Sequence, residues 1–200
     1  MPIEKPKVAV FDFDETLTHC DTLLPFLRFA VGKRKTYLAL LRLIPLLIQY
    51  PLKLASRQTI KEAILSACIG GLSENYLRQT GADFAQSCIP KLLKSHVMAR
   101  LQWHLQQNHR CILVSGAIDI YLQPWGKSAQ FHHVISTNCA VDNNGIITGK
   151  LEGENCWGTE KMRRLAEFLG PREGYVLYAY GDSKGDAALL SAADYPYYRY

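Results

Sequence analysis

The sequence predicts an α/β fold: a parallel sheet core with one helical insertion after its first strand. Three observations carry this. Short apolar runs recur along the chain, each ending in a polar, potentially reactive residue. Helical periodicity fills most of the space between the first two runs. From residue 109 onward, strand-like and helical segments alternate, which is the pattern of a parallel sheet. Hydrophobic residues make up 48% of the 200 and charged residues 20%. That balance supports a buried core and argues against a disordered or collagen-like chain.

The elements follow in order. Lys7-Val8-Ala9-Val10-Phe11 reads as a buried strand running into Asp12. Residues 22 to about 108 read as helical: Leu23, Leu24, Leu27 and Ala30 share a face, as do Tyr37, Leu40, Leu41 and Ile44. Ile60, Ile64 and Ala67 continue the pattern, then Leu92, Val97, Leu101 and Leu105. Gly70-Gly71-Leu72-Ser73 breaks two helices, with Ser73 as N-cap. Cys111 to Val114 is a second strand ending in Ser115-Gly116, and His133 to Ser136 a third. Asp142-Asn143-Asn144-Gly145 between Val141 and Ile146 signals a hairpin. Thr159, as cap, opens an amphipathic helix to Leu169, stopped by Gly170-Pro171. Tyr175 to Tyr180 is a strand ending in Gly181-Asp182, and Tyr195 to Tyr200 a last edge strand.

Polar groups therefore gather at the carboxyl ends of three strands: Asp12 and Asp14, then Ser115, then Asp182 and Asp186. Parallel α/β sheets bind ligands at that edge. Carboxylates brought together repel one another and need a cation, and an all-oxygen set selects a hard ion such as Mg²⁺. In an extended segment residues i and i+2 point the same way, so Asp12 and Asp14 can flank one reacting group. The six scattered cysteines form no CxxC pair and read as reduced, mostly buried thiols. The histidines show no metal-ligand spacing.

Four ordered motifs now resemble the haloacid dehalogenase superfamily of aspartate-nucleophile phosphatases. Asp12-Phe13-Asp14-Glu15-Thr16-Leu17-Thr18 is similar to its first motif, and Val114-Ser115-Gly116-Ala117 to its second. Lys161 in Gly158-Thr159-Glu160-Lys161 is similar to the third, and Gly181-Asp182-Ser183-Lys184-Gly185-Asp186 to the fourth. The insertion resembles the cap of the phosphoserine-phosphatase-like branch, subfamily IB. The resemblance implies a Rossmann-like core over 1–19 and 109–200 with a helical cap over 20–108. It implies Asp12 as nucleophile, Asp14 as general acid and base, and Ser115, Gly116 and Lys161 on the phosphate. Mg²⁺ would be held by Asp12, Asp14 through its backbone carbonyl, and Asp182, with Asp186 orienting from behind or binding the ion through a water. The implied reaction is hydrolysis of a small phosphorylated metabolite. A phosphotransferase with the same aspartyl-phosphate is an alternative.

The cap should set the substrate. Phosphoserine-type enzymes carry an acid shortly after the first motif, and Asp21 stands there. They also use a cap cation for the substrate carboxylate, and residues 63 to 69 offer none.

The net charge is +5, yet Thr22 to Lys61 holds eight cations and no acid. No recognisable nucleic-acid-binding motif accompanies them, so nucleic acid is not an expected partner. Apolar residues are interleaved with the cations, and the longest charge-free run there, Leu43 to Leu52, is too short to span a bilayer. It is long enough to lie in an interface, which keeps open an alternative: a membrane-surface lipid phosphatase of the phosphatidylglycerophosphate kind. That alternative requires Leu40, Leu41, Ile44, Leu47 and Ile48 to be partly exposed. The amino-terminal stretch has no secretory-signal pattern, so the expected location is cytoplasmic, with peripheral contact at an anionic membrane as its extension.

Overall fold

The computed structural model describes residues 5–200 apart from Lys53. The first four residues and Lys53, one of the eight cations, lie outside the described residues. One six-stranded sheet has the order β4-β3-β2-β1-β5-β6. Its strands are β1 (Lys7–Phe11), β2 (Arg110–Ile118), β3 (His133–Val141), β4 (Ile147–Glu152), β5 (Val176–Gly181) and β6 (Tyr195–Tyr198). Neighbours are parallel except β3 and β4. The chain order reverses at β1, so the crevice at its carboxyl end is where such a sheet takes a ligand.

Side chains of β1 alternate between two cores, as the strand period requires. Val8 and Val10 pack with Leu165 of α8 (Thr159–Leu169) and Leu189 of α9 (Ala187–Ala192). Ala9 and Phe11 face the larger core on the other side. That core also takes in side chains of α1 (Leu23–Val31), α4 (Arg57–Cys68), α5 (Glu74–Ser87), α6 (Ser95–Gln106) and α7 (Asp119–Ser128). Two further helices, α2 (Lys33–Arg42) and the single turn α3 (Ile44–Leu47), lie between α1 and α4. The segment from α1 to α6 is interposed between β1 and β2. Within it, α6 lies against the sheet: His104 meets the Phe11 ring edge-on at 5.9 Å.

Helix α4 sits directly on β4. Gly149 (φ 81°) makes this possible, because a Cβ there would stand 2.3 Å from the Ser66 Cα. The hairpin closes as the sequence indicates: the Asp142 carboxylate accepts from the Asn144 and Ile146 amides, and Gly145 takes φ 74°. Four local expectations change. The second strand runs on past Ser115-Gly116 to Ile118, its register against β3 shifting between Val114 and Ile118. The third strand extends to Val141, because its second half pairs with β4. Ser73 occupies the N-cap of α5 without a side-chain capping bond. Gly158 with φ 64°, not Thr159, caps α8. The combination of φ 64° with ψ −131° is open without strain to glycine alone, so the turn into α8 is set by Gly158.

Candidate active site

The register places the reactive residues. Phe11 lies opposite Leu113 of β2 and Tyr180 of β5, so Asp12, Ser115 and Asp182 emerge from adjacent strands at one edge. The Asp12 amide still donates to the Tyr180 carbonyl at 3.0 Å, after which the chain turns. Phe13 is fully buried between Asp12 and Asp14. Glu15 takes φ 61°, and its amide donates to the Thr18 hydroxyl at 3.1 Å, which closes the turn. Asp12, Asp14, Ser115, Gly116, Lys161 and Asp182 then line one cavity of about 540 Å³. Its far wall comes from the inserted helices, through Ile60, Lys61 and Ile64.

Lys161 is the hub of this edge. It is 3% exposed, with Nζ 2.5 Å from Asp12 Oδ1 and 2.6 Å from Asp186 Oδ1. Burial alone would lower its pKa, but the two carboxylates hold the ammonium well above its ordinary value. Burial pushes the Asp12 carboxyl up, opposed by Lys161. Asp186 is completely buried, and its second oxygen accepts from the Ser183 amide at 3.1 Å and the Ser183 hydroxyl at 2.9 Å. Gly181 makes room for it, since a Cβ there would stand 2.5 Å from the Asp186 Cβ. The sequence marked each of these residues, and they converge.

Asp14 is held differently. Its Oδ1 accepts from the Thr22 amide at 2.9 Å and the Thr22 hydroxyl at 2.6 Å. Burial first, then the nearby Asp21, pushes its carboxyl up to about 7. Asp21 is itself exposed, lines the cavity and accepts from the Leu23 amide at 2.9 Å. The Ser115 hydroxyl accepts from the Ala117 amide at 3.1 Å, which leaves its proton free for a ligand.

Carboxylate oxygens of Asp12, Asp182 and Asp186 lie within 4.8 Å of one another. Burial, then Asp12 and Asp186, raises Asp182 to about 6, so the three acids strain against one another. With Lys161 counted, two negative charges remain when all three are ionised. An all-oxygen set with that charge fits a hard divalent cation. The Asp14 carboxylate is not part of this group.

The sequence reading missed the cap cations. Lys61 reaches the cavity floor, with Nζ 2.6 Å from the Gly116 carbonyl and 2.6 Å from Asn155 Oδ1. Burial lowers its pKa. Arg57 stands one turn away, its guanidinium 4.4 Å over the Trp157 ring and 5.5 Å over Tyr50. All four side chains line the cavity. The signal was present: Arg57, Ile60, Lys61 and Ile64 share one helical face. Residues 63 to 69, which hold no cation, begin just beyond it.

The chain matches the family described as haloacid dehalogenase-like hydrolase over residues 9–191. It is 31% identical over 195 residues to protein CicA of Caulobacter vibrioides, covering 98% of this chain and 86% of that one. It is 25% identical over 138 residues to an inhibition of morphological differentiation protein of Streptomyces azureus, covering 68% and 49%. Among solved structures, a protein of unknown function from Bordetella pertussis Tohama I superposes with TM-score 0.80 at 24% identity, covering 96% and 89%. A substrate-bound phosphoserine phosphatase complex superposes with TM-score 0.62 at 16% identity, covering 96% and 84%. At those identities the two structures speak for the fold.

Proposed function

The chain belongs to the haloacid dehalogenase-like hydrolases, and from that premise we propose a Mg²⁺-dependent phosphomonoester hydrolase with Asp12 as its nucleophile. The convergence of Asp12, Ser115, Lys161 and Asp182 on one cavity supports this reading more than any other observation. Asp12, Asp182 and the Asp14 carbonyl would hold the ion, which screens carboxylate from phosphate and offsets charge on the transferring group.

The protein's own groups divide the work. Asp12 attacks phosphorus; its O–P bond forms as the bond to the leaving oxygen breaks, giving an aspartyl-phosphate. Asp14, its Oδ1 fixed by Thr22, gives its proton to the leaving oxygen. It then takes a proton from the water that attacks phosphorus and releases Asp12 and inorganic phosphate. Such proton transfer is worth roughly 10²–10⁴-fold. Ser115 and the Gly116 amide donate to phosphate oxygens, and Lys161 neutralises the group as it transfers. Asp186 keeps Lys161 and the 182–183 turn in place. The cap side chains, with Asp21, Lys61 and Arg57 foremost, select a small phosphorylated substrate. The relatives lend no support to a phosphotransferase or to a lipid phosphatase.

The test is release of p-nitrophenol from its phosphate ester, with Mg²⁺ and after removal of divalent ions by chelation. Turnover that needs Mg²⁺ is expected. Equal turnover without any divalent ion would overturn the metal assignment, and none under either condition would count against the hydrolase reading.

A further inference from the structure

Helix α2 is built inside out. A helix lying on a protein normally turns its large apolar side chains inward. In α2 only Thr36 and Ala39 are buried. Tyr37, Leu38 and Leu41 stand exposed, with Leu41 60% accessible. Arg34, Leu38 and Leu41 follow at helical spacing, so they form one outer stripe. The turn α3 buries no residue at all. Ile44 and Ile48 are exposed, while Leu40 and Leu47 are half-buried.

The exposure is concentrated there. Every exposed Leu or Ile among the described residues falls between Leu38 and Leu54. Scattered single apolar residues are normal on a surface, but a contiguous set marks an interaction site. The cations of the same stretch are equally uncommitted. Lys33, Arg34, Lys35 and Arg42 are exposed, and none has a carboxylate within ion-pair distance among the described residues. Arg34, Lys35 and Arg42 surround a shallow groove floored by Leu38 and Ala39.

We infer that α2, α3 and the turn that follows form a docking surface for an anionic lipid bilayer. Charge decides the occupant. A second copy would bring the same acid-free cationic face against itself. A nucleic acid would use the cations but leave the leucines and isoleucines in water. A bilayer with anionic headgroups satisfies both, since cations bind at the headgroups and the apolar stripe enters the acyl boundary. The surface adjoins the candidate active site, because Tyr50 and Arg57, which follow α3, line its cavity. Docking would turn that mouth toward the membrane.

The test is co-sedimentation of the full chain with two kinds of vesicle: phosphatidylcholine alone, and phosphatidylcholine with phosphatidylglycerol. Binding to the second kind at low ionic strength is expected, with loss at high salt. Each cation engaged is worth about fivefold in affinity, so K33Q/R34Q/K35Q/R42Q should weaken binding by about 100-fold or more. L41S/I48S removes two exposed side chains and should weaken it about tenfold per site while keeping the salt dependence. Both variants alter only exposed positions and should keep wild-type hydrolysis of p-nitrophenyl phosphate, which checks their folding. No binding at low salt, or equal binding to phosphatidylcholine alone, would overturn the inference. Binding unchanged in L41S/I48S would overturn it too, and would leave a surface for soluble polyanions.

Discussion

Replacing Lys161 by Met keeps the length and apolar stem of the side chain and removes its charge. In the native protein that charge sits 2.5 Å from Asp12 and 2.6 Å from Asp186, and all three groups are buried. Two buried carboxylates would then face each other without the ammonium that separates them. Removing one partner of a buried ionic group costs about 3–5 kcal/mol. Ser183 still donates to Asp186, so the lower end, about 3 kcal/mol, is expected. For a chain of 200 residues this corresponds to a fall of roughly 6–12 °C in Tm. Turnover of the soluble fraction should fall by about 10²–10³-fold, the usual cost of losing a preorganised donor to a developing anion. Urea unfolding by circular dichroism, with parallel assays below Tm, reads both. A stability loss under about 1 kcal/mol would refute the claim that Lys161 is what permits Asp12 and Asp186 to be buried together.

Two further outcomes follow from other parts of the structure. Lys61→Met removes the tie from α4 to the Gly116 carbonyl and should lower kcat by about 10–100-fold, since charge-assisted hydrogen bonds are worth about 1.5–3 kcal/mol. An unchanged kcat would show that the cap does not position Gly116. His104 is buried, 2.7 Å from His109 Nδ1 and 2.9 Å from the Tyr180 hydroxyl, and burial lowers its pKa to about 3. Its folded value lies below the unfolded one, so the unfolded state takes the proton first. The contribution of His104 to stability is therefore full above about pH 6.5 and falls by about 1.4 kcal/mol per pH unit toward pH 3. His104→Gln should flatten that slope between pH 6.5 and 5 in urea titrations, and an unaltered slope would place the acid sensitivity elsewhere.

Much of the site was legible because its chemistry is local. Asp12 and Asp14 are two residues apart in a short segment after a buried run, and Asp182 and Asp186 sit in one turn. Strand periodicity and the parallel-sheet rule then bring these pieces to one edge without further information. Lys61 was not legible in that way. Its role depends on how α4 lies on β4, a packing set by Gly149 against Ser66 rather than by any motif. The exposure of Leu41 and Ile48 was likewise unreadable, because Tyr37, Leu40, Leu41 and Ile44 repeat at core-like spacing. Thr36 and Ala39, which face inward instead, are small and carry little periodic signal. Capping at Gly158 is masked in the sequence by Thr159 next to it, the commoner kind of cap.

Asp12→Asn tests the central claim most directly. The substitution keeps the shape and hydrogen-bonding reach of the side chain and removes the attacking charge. Turnover of p-nitrophenyl phosphate with Mg²⁺ should fall by at least about 10⁴-fold, as when a covalent nucleophile is lost, while circular dichroism reports a folded protein. Turnover within tenfold of the wild type, in a folded Asp12→Asn protein, would contradict a nucleophilic Asp12.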